Sequence, residues 1–169
     1  MTIVLHAQPY DISASGFYFR NAEEFQKKVA TCRNDFGAPV EEFEIQFIDG
    51  DDIDCALAKA LSLNQANYAA FFEAVDDWDE DHKHRVIIAV GECGYSFDPK
   101  SCNLDDFDVD VYEVDTLKDL AEQFVDEGLY GEIPANIAFY VDYDAMARDL
   151  SVDFAMIEIA GRRFAYACR

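Results

Sequence analysis

The chain has 169 residues, of which 51% are hydrophobic and 14% aromatic, and this apolar content argues against wholesale disorder. Its 35 Asp and Glu residues face only 13 Lys and Arg residues, which gives a formal net charge of -22. Because phosphate binding needs clustered basic residues, this balance argues against direct binding of nucleic acid and against adhesion to an anionic membrane.

The remaining composition predicts a cytoplasmic protein. No apolar stretch approaches the roughly 20 residues that span a bilayer. Residues 1–6 lack the basic region and the long apolar run of a signal peptide. The cysteines are odd in number and irregularly spaced, which favours reduced, mostly buried thiols over a disulfide framework. They are Cys32, Cys55, Cys93, Cys102 and Cys168.

The first half of the chain alternates strand and helix patterns. Residues 2–8 predict a short strand, and residues 42–48 alternate apolar and polar side chains as a half-buried strand does. Between them, Asn21 is a good N-cap for a helix, with Glu24 as its capping-box partner. After a turn at 49–52, residues 53–80 predict helix.

The predicted helix at 53–80 carries an unusual charge pattern. Its apolar stripe is formed by Tyr68, Phe71, Val75 and Trp78. Acids crowd its remaining surface and its end, where they oppose the helix dipole, so stability alone does not explain them. They are Glu73, Asp76, Asp77, Asp79 and Glu80.

The second half repeats the mixed pattern. The clearest helix runs from Thr116, its N-cap, to Glu127, and Gly128 stops it. A strand is expected at 107–114, with Asp108 and Asp110 on its solvent face. The other expected elements are a buried strand at 86–90, a loop at 91–106, a helical turn at Pro134, a helix from Asp142 to Leu150, and a hairpin of 154–159 with 163–167.

This order of elements predicts an α+β chain of small modules rather than one doubly wound sheet. A strand-and-helix N-terminal module is expected at 1–50, a helical middle at 51–84, and a strand-and-helix C-terminal module at 85–169.

The acids are interleaved with predicted core residues instead of forming one run. Residues 86–161 hold 18 acids and three bases, a net charge of -15, and the remainder carries -7. Solubility needs a net charge of only roughly 2 to 8 in magnitude, and a larger one costs stability through self-repulsion. The excess has two open explanations, a merely solvated or salt-adapted acidic face and a strongly basic partner.

A basic partner built for DNA fits this surface. Duplex DNA is a fixed array of about one negative charge per 1.7 Å of axis, and phosphate contacts give affinity without reading sequence. Acids on ordered elements can therefore enter a groove built for that array. The carboxylates expected to stand in for phosphates are Asp76, Asp77, Asp79, Glu80, Asp105, Asp106, Asp108, Asp110, Asp115, Asp126, Glu127, Asp144 and Asp149.

Most of a family resemblance is carried by two stretches, residues 131–150 and residues 112–124. Residues 140–150, with the pattern Y-x-D-Y-x-x-x-A-R-D-L, resemble the C-terminal region of the ArdA antirestriction family, as do residues 131–136 before them. Residues 112–124, with the pattern Y-x-x-D-x-L-x-x-L-A, also resemble that family. Residues 64–78 are similar to its acidic helical middle, and the first 50 residues match more loosely.

The resemblance implies an elongated, three-part, non-enzymatic homodimer that mimics bent B-form DNA. Its implied partner is the methyltransferase and specificity core of a type I restriction-modification enzyme, and such proteins are carried by plasmids, transposons and phages. The short acidic antirestriction motif of such proteins is not assigned to residues here. Within the matched core, Asp142 is expected to cap a helix and Arg148 to pair with Asp144. Tyr140 and Tyr143 are expected as core or interface anchors.

Other sites have weaker support, so neither a cofactor nor a catalytic residue is predicted. His82 and His84 share a face only on a strand, and no further ligand has zinc spacing. Residues 49–54 fail the spacing of a calcium-binding EF-hand. Cys93, in the turn-like 91–94, lacks the basic neighbourhood that activates a thiol. The chain contains no G-x-S-x-G or H-E-x-x-H motif and no phosphate-binding glycine loop.

Two alternatives from other functional classes stay open. The chain could be an acidic adaptor or inhibitor of another basic DNA-binding protein, such as a CRISPR effector or a nucleoid protein. It could also be a calcium- or salt-dependent surface protein. The partner recovered from cell extract separates the first alternative from restriction-modification, and calcium calorimetry tests the second.

Overall fold

A computed structural model describes residues 2–97 and 104–169 and confirms the α+β class. The chain divides into two compact units, Met1–Phe107 and Asp108–Arg169. Each unit holds a three-stranded antiparallel sheet with helices. Within the described residues, no helix combines the length and the hydropathy needed to cross a lipid bilayer. The division into modules 1–50, 51–84 and 85–169 stays a prediction.

The sheet of the first unit has the order β2-β1-β3. The predicted strands are confirmed as β1, Val4–Pro9, and β3, Phe43–Asp49. The edge strand β2, Phe17–Phe19, was not predicted, because three consecutive aromatic residues show no alternation. On β1, Leu5 is fully buried and lies opposite Phe19 of β2.

The predicted N-terminal helix is confirmed as α1, Ala22–Thr31. The Asn21 side chain accepts a hydrogen bond from the Glu24 backbone N–H at 2.8 Å, as a capping residue does. The Glu24 carboxylate reaches back one residue further than the capping box predicts, and it accepts the N–H of Arg20 at 2.8 Å.

Residues 53–80 are predicted to be helical and most of them are, but the helix is interrupted, and three helices cover residues 52–86. They are α2, Asp52–Ala60, α3, Tyr68–Asp77, and α4, Glu80–Val86. The first break follows Ala60, and Ser62 lies within it with a left-handed φ of 49°, which cannot continue a helix. Asparagine side chains then hold the connection, since Asn67 Oδ1 accepts the Asn64 N–H at 2.7 Å.

The buried strand predicted at 86–90 is wrong. Residues Ile87–Glu92 continue α4 as a π-helical segment. Val86 through Ala89 are buried, and a short, wholly buried apolar run has no period that separates strand from helix. Part of the predicted loop 91–106 lies in residues 98–103, outside the described residues. The remainder includes a 3-10 turn, Leu104–Asp106.

The core of the first unit joins α1 and α3 to the sheet through aromatic rings. The Phe25 ring lies 4.9 Å from that of Phe19 and 4.3 Å from that of Tyr68. Nearby, α2 and α4 are linked by a buried ion pair, in which Lys83 Nζ lies 2.7 Å from Asp54 Oδ1.

The sheet of the second unit has the order β4-β6-β5. The strand expected at 107–114 is confirmed as β4, Val109–Glu113. The C-terminal hairpin is confirmed as β5, Ala155–Ile159, and β6, Arg162–Cys168, with Gly161 at its turn in a left-handed conformation (φ 82°). The central strand β6 contributes the buried Ala165 and Ala167 to the core.

Three helices of the second unit follow the sequence signals closely. They are α5, Leu117–Asp126, α6, Ala135–Ala138, and α7, Tyr143–Leu150. The predicted caps are confirmed, since the side chains of Thr116 and Asp142 accept backbone N–H groups of the first turns of α5 and α7. Helices α5 and α7 pack together over the sheet, around a core of Leu120, Ala121, Phe124, Leu150, Phe154, Ala165 and Ala167.

The cysteines differ from expectation. Cys32 is half-buried and Cys55 exposed, and both are free. Cys93 and Cys168 are disulfide-bonded. The prediction of reduced, mostly buried thiols is therefore wrong for these two, because spacing along a chain does not determine cysteine pairing. Cys102 lies outside the described residues.

Candidate partner-binding surface

Both units are acidic in their own right. Residues 1–107 contain 21 acids and eight bases, and residues 108–169 contain 14 acids and five bases. The net charges are therefore -13 and -9. No single tail accounts for the acidity, which is carried by folded elements of both units.

The structure places the predicted carboxylates on the surfaces of both units. Six lie in the first unit and seven in the second, and all are exposed except the half-buried Asp110. In the first unit they are Asp76 and Asp77 at the end of α3, Asp79 and Glu80 at the start of α4, and Asp105 and Asp106 in the 3-10 turn. In the second they are Asp108 and Asp110 beside and in β4, Asp115 after it, Asp126 and Glu127 at the end of α5, and Asp144 and Asp149 in α7.

At least four of these carboxylates have partners within their own unit. Asp79 caps α4 by accepting the His82 backbone N–H at 2.8 Å. Asp110 lies 2.7 Å from Arg169, Asp144 lies 3.2 Å from Lys118, and Glu127 accepts a hydrogen bond from Gln123 at 2.8 Å. For Asp79 and Asp110, the fold itself supplies a reason for the carboxylate.

The ion pair expected between Asp144 and Arg148 does not form. Asp144 pairs instead with Lys118, 26 residues earlier on the neighbouring helix α5. The i, i+4 spacing allows a contact within α7, but α5 and α7 pack side by side and bring a second cation into reach.

Six of the predicted carboxylates carry charge that the fold does not compensate. Within residues 2–97 and 104–169, their side chains form no ion pair and no hydrogen bond. They are Asp76, Asp77, Asp106, Asp115, Asp126 and Asp149.

Two helix ends concentrate this uncompensated charge. Helix α3 ends in Asp76 and Asp77, and α5 ends in Asp126 with Glu127 as its C-cap. The last turn of neither helix holds a basic residue. The C-terminal end of a helix carries a partial negative charge, so each acid there costs about 0.3–1 kcal/mol.

Sequence reasoning missed two exposed acids of helix α5, Asp119 and Glu122. Glu122 lies between Asp119 and Asp126, and these three acids follow the i, i+3, i+7 spacing of a single helical face. Asp119 also accepts the Thr116 hydroxyl at 2.6 Å, beside the N-cap. Helical spacing alone could have identified this acidic stripe.

On the sheet of the second unit, in contrast to these helix ends, acids are paired with arginines. Arginines of β6 pair with acids of the adjacent strands, and the N···O distances are 2.6 Å for Arg162 with Glu113 and 3.1 Å for Arg163 with Glu158. Arg169 pairs with Asp110, and the pKa of Arg169 is raised chiefly by that hydrogen bond. The uncompensated acids of this unit therefore lie on its helices and connections rather than on the sheet.

The structure places the residues that were considered as zinc ligands on helix α4, and residues 52–54 of the segment considered for calcium on helix α2. His82 and His84 lie on helix α4, where residues two apart point in different directions. His82 stacks on Trp78 with a centroid distance of 4.2 Å, and burial lowers its pKa. Asp54 points inward to Lys83. Among the described residues, no three His, Cys, Asp or Glu side chains are grouped to hold a metal ion.

The comparison with known families decides the identity of the chain. The sequence model for the antirestriction protein ArdA matches residues 8–161. The chain belongs to the ArdA antirestriction protein family. No curated protein sequence matches it.

The ArdA-like sequence patterns map onto the core of the second unit. Residues 112–124 run from β4 into α5, and residues 140–150 cover the Asp142 cap and α7. Tyr143 packs against the core as expected, whereas Tyr140 is 81% exposed. The recognisable pattern is thus largely the packing of α5 against α7, and its acids lie on the outside of that packing.

Proposed function

We propose that this member of the ArdA family acts as a DNA mimic, which competes with DNA for the binding groove of a type I restriction-modification enzyme. The observation that supports the proposal is the set of exposed carboxylates fixed on helices and turns of both units. The thirteen predicted carboxylates stand in for phosphates, and Glu122 joins them.

The mechanism needs only charge and rigidity. A groove lined with Lys and Arg to hold phosphates accepts carboxylates held at fixed positions, because phosphate contacts carry no sequence information. Complementary fields also speed association. The inhibitor performs no chemistry and needs no cofactor, and we propose that it acts in the cytoplasm on the methyltransferase and specificity core.

A competition experiment tests the proposal. The probe is a labelled cognate DNA duplex bound to the purified core of modification and specificity subunits. We expect the chain to displace the duplex, with an affinity that falls between about 50 and 200 mM salt, though less steeply than that of DNA. Displacement that does not change with salt contradicts the mechanism. Recovery from extract of another basic DNA-binding protein, without restriction-modification subunits, favours the adaptor alternative.

A neutralisation scan tests how the charge is used. Each single Asp→Asn or Glu→Gln change at the predicted carboxylates is expected to weaken binding only slightly, because exposed ion pairs contribute about 0–1 kcal/mol each. One dominant carboxylate would point instead to a metal or catalytic role.

We also propose that the protein is a homodimer, held together by the segment around α6. Ile137, Phe139 and Tyr140 are exposed by 50%, 90% and 81%, and residues 133–141 contain no charged side chain. This local neutrality lets two strongly acidic chains approach one another there. Sedimentation velocity of Phe139→Ala/Tyr140→Ala is expected to show a monomer. The wild type and Val152→Ala, which alters another exposed side chain, should remain dimers.

A further inference from the structure

Two adjoining turns of the first unit form a rigid apolar tip. Residues 11–14 and 34–37, here called the two-turn tip, are each closed by a backbone hydrogen bond, from Ala14 N to Asp11 O at 3.1 Å and from Gly37 N to Asn34 O at 2.9 Å. Each turn also begins with a side chain that accepts an N–H two residues on, at 2.9 Å for Asp11 and 3.1 Å for Asn34.

The two turns are bonded to each other. The Asn34 amide donates to the Asp11 carboxylate at 2.9 Å, and the Asp35 backbone N–H donates to the Ser13 carbonyl at 2.8 Å. Hydrogen bonds from Asn34 and then Ser13 lower the pKa of Asp11. Since the tip is ordered before any partner arrives, binding through it costs little conformational entropy.

The tip presents apolar side chains that the fold leaves uncovered. Ile12 is 103% exposed and Phe36 is 86% exposed, on turns held together by the bond between Ser13 and Asp35. Tyr10, the residue before the first turn, is 67% exposed. Scattered apolar residues on a surface are ordinary, but two on one preordered tip resemble the anchors of a protein interface.

The surroundings of the tip identify the kind of partner. Its exposed acids are Asp35, within the second turn, and Glu41 and Glu42 close by, where the Glu42 carbonyl accepts the Tyr10 N–H at 3.2 Å. An apolar centre with a charged rim is the usual anatomy of an interface. These three acids outnumber Arg33, the exposed base directly before the second turn, so the rim is net acidic. It repels a second copy of this chain and attracts a partner rich in Lys and Arg.

We propose that the two-turn tip inserts Ile12 and Phe36 into an apolar recess, bordered by basic residues, on the same enzyme whose DNA groove receives the carboxylates. This inference rests on the proposed function and deepens it. The phosphate backbone that the carboxylates replace has no such apolar side chain, so the tip adds a part of the affinity that salt does not weaken.

The experiment compares the wild type with Ile12→Ala/Phe36→Ala and with the control Ile48→Ala, which alters a 49% exposed residue of β3. Binding to the purified methyltransferase and specificity core is measured by calorimetry at several salt concentrations. The double variant is expected to bind roughly tenfold or more weakly, with the salt dependence unchanged. The control should bind like the wild type, and all three chains should share one thermal midpoint, because the altered side chains are exposed.

Each other outcome overturns the inference. If the wild type binds and the double variant binds equally well, the tip is not a contact and the proposed function stands. If the wild type does not bind the core, the proposed function falls and the tip falls with it. If the double variant changes only the oligomeric state in sedimentation, the occupant is a second copy of the chain.

Discussion

Helices α3 and α4 follow one another along the chain, but their charged residues lie in opposite positions relative to the helix ends. Helix α4 has acids in its first turn and bases in its last, and its N-cap Asp79 accepts a backbone N–H. Its Lys83 pairs with the buried Asp54. Helix α3 has no acid in its first turn and ends in Asp76 and Asp77, with no base nearby in the last turn. The first arrangement stabilises a helix and the second destabilises it.

Helix α5 of the second unit shares the acidic C-terminal end of α3, with Asp126 and Glu127 there, although its first turn also holds Asp119. Folding therefore explains the charges of α4 but not those at the ends of α3 and α5. If these acids serve a partner, the molecule gives up stability to hold them there. This difference can be measured, because removing the two kinds of acid should change stability in opposite directions.

The largest change in folding stability is expected from breaking the buried ion pair of the first unit. Asp54→Asn leaves the Lys83 ammonium, 8% exposed, without its carboxylate. Breaking a buried ion pair by removing one partner destabilises a protein by about 3–5 kcal/mol. Urea unfolding measures the change, and Asp52→Asn, which alters an exposed acid at the start of the same helix, should cost less than about 1 kcal/mol. Equal losses for the two variants would show that burial does not distinguish these acids.

The next largest change in stability is expected from neutralising the acids at the C-terminal ends of α3 and α5. The combined variant Asp76→Asn/Asp77→Asn/Asp126→Asn/Glu127→Gln removes four charges from unfavourable positions. The free energy of unfolding is expected to rise, by up to about 1 kcal/mol for each acid at low salt, while displacement of DNA from the methyltransferase core weakens. Both quantities are measured on the same preparation.

The matched control for that variant is Asp79→Asn/Glu80→Gln, which removes charges from the favourable end of α4. Asparagine preserves the cap, so stability should fall only slightly and inhibition should weaken as well. A helix-end variant that loses stability, or that gains stability with inhibition intact, would leave the acids of α3 and α5 without a role in binding.

Local signals in the sequence predicted the second unit better than the first. Helices α5 and α7 are bounded by Thr116, Gly128 and Asp142, whose effects act within a few residues. The break between α2 and α3 contains Ser62 in a left-handed conformation, which serine rarely adopts, so composition does not predict it. Residues 86–89, where the π-helical segment begins, are buried, and burial on every side removes the periodicity on which the prediction relied.

The sequence was enough to predict which acids are exposed, but not which of them are neutralised by an ion pair. Exposure of the acids follows from their positions between apolar residues, and twelve of thirteen are exposed. Which acids form ion pairs cannot be read from the local sequence, because the cations come from distant sequence positions. Arg169 pairs with Asp110 across the sheet, and Lys118 reaches Asp144 from another helix. Only tertiary packing separates a neutralised acid from one that can face a partner.

The smallest expected effect is on the pH dependence of folding stability, and it comes from His82 near the start of α4. Burial lowers the pKa of His82 from its ordinary 6.5, against the opposing effect of Asp79. Between the folded pKa and 6.5 the unfolded chain binds more protons at this position, so stability is lost as the pH falls below 6.5. His82→Phe removes the titration and allows the ring to stack on Trp78 as the imidazole does. Urea unfolding across pH 5–7 should therefore show a shallower slope for the variant. Identical slopes would mean that His82 is as accessible to protons in the folded chain as in the unfolded one, and would contradict the lowered pKa.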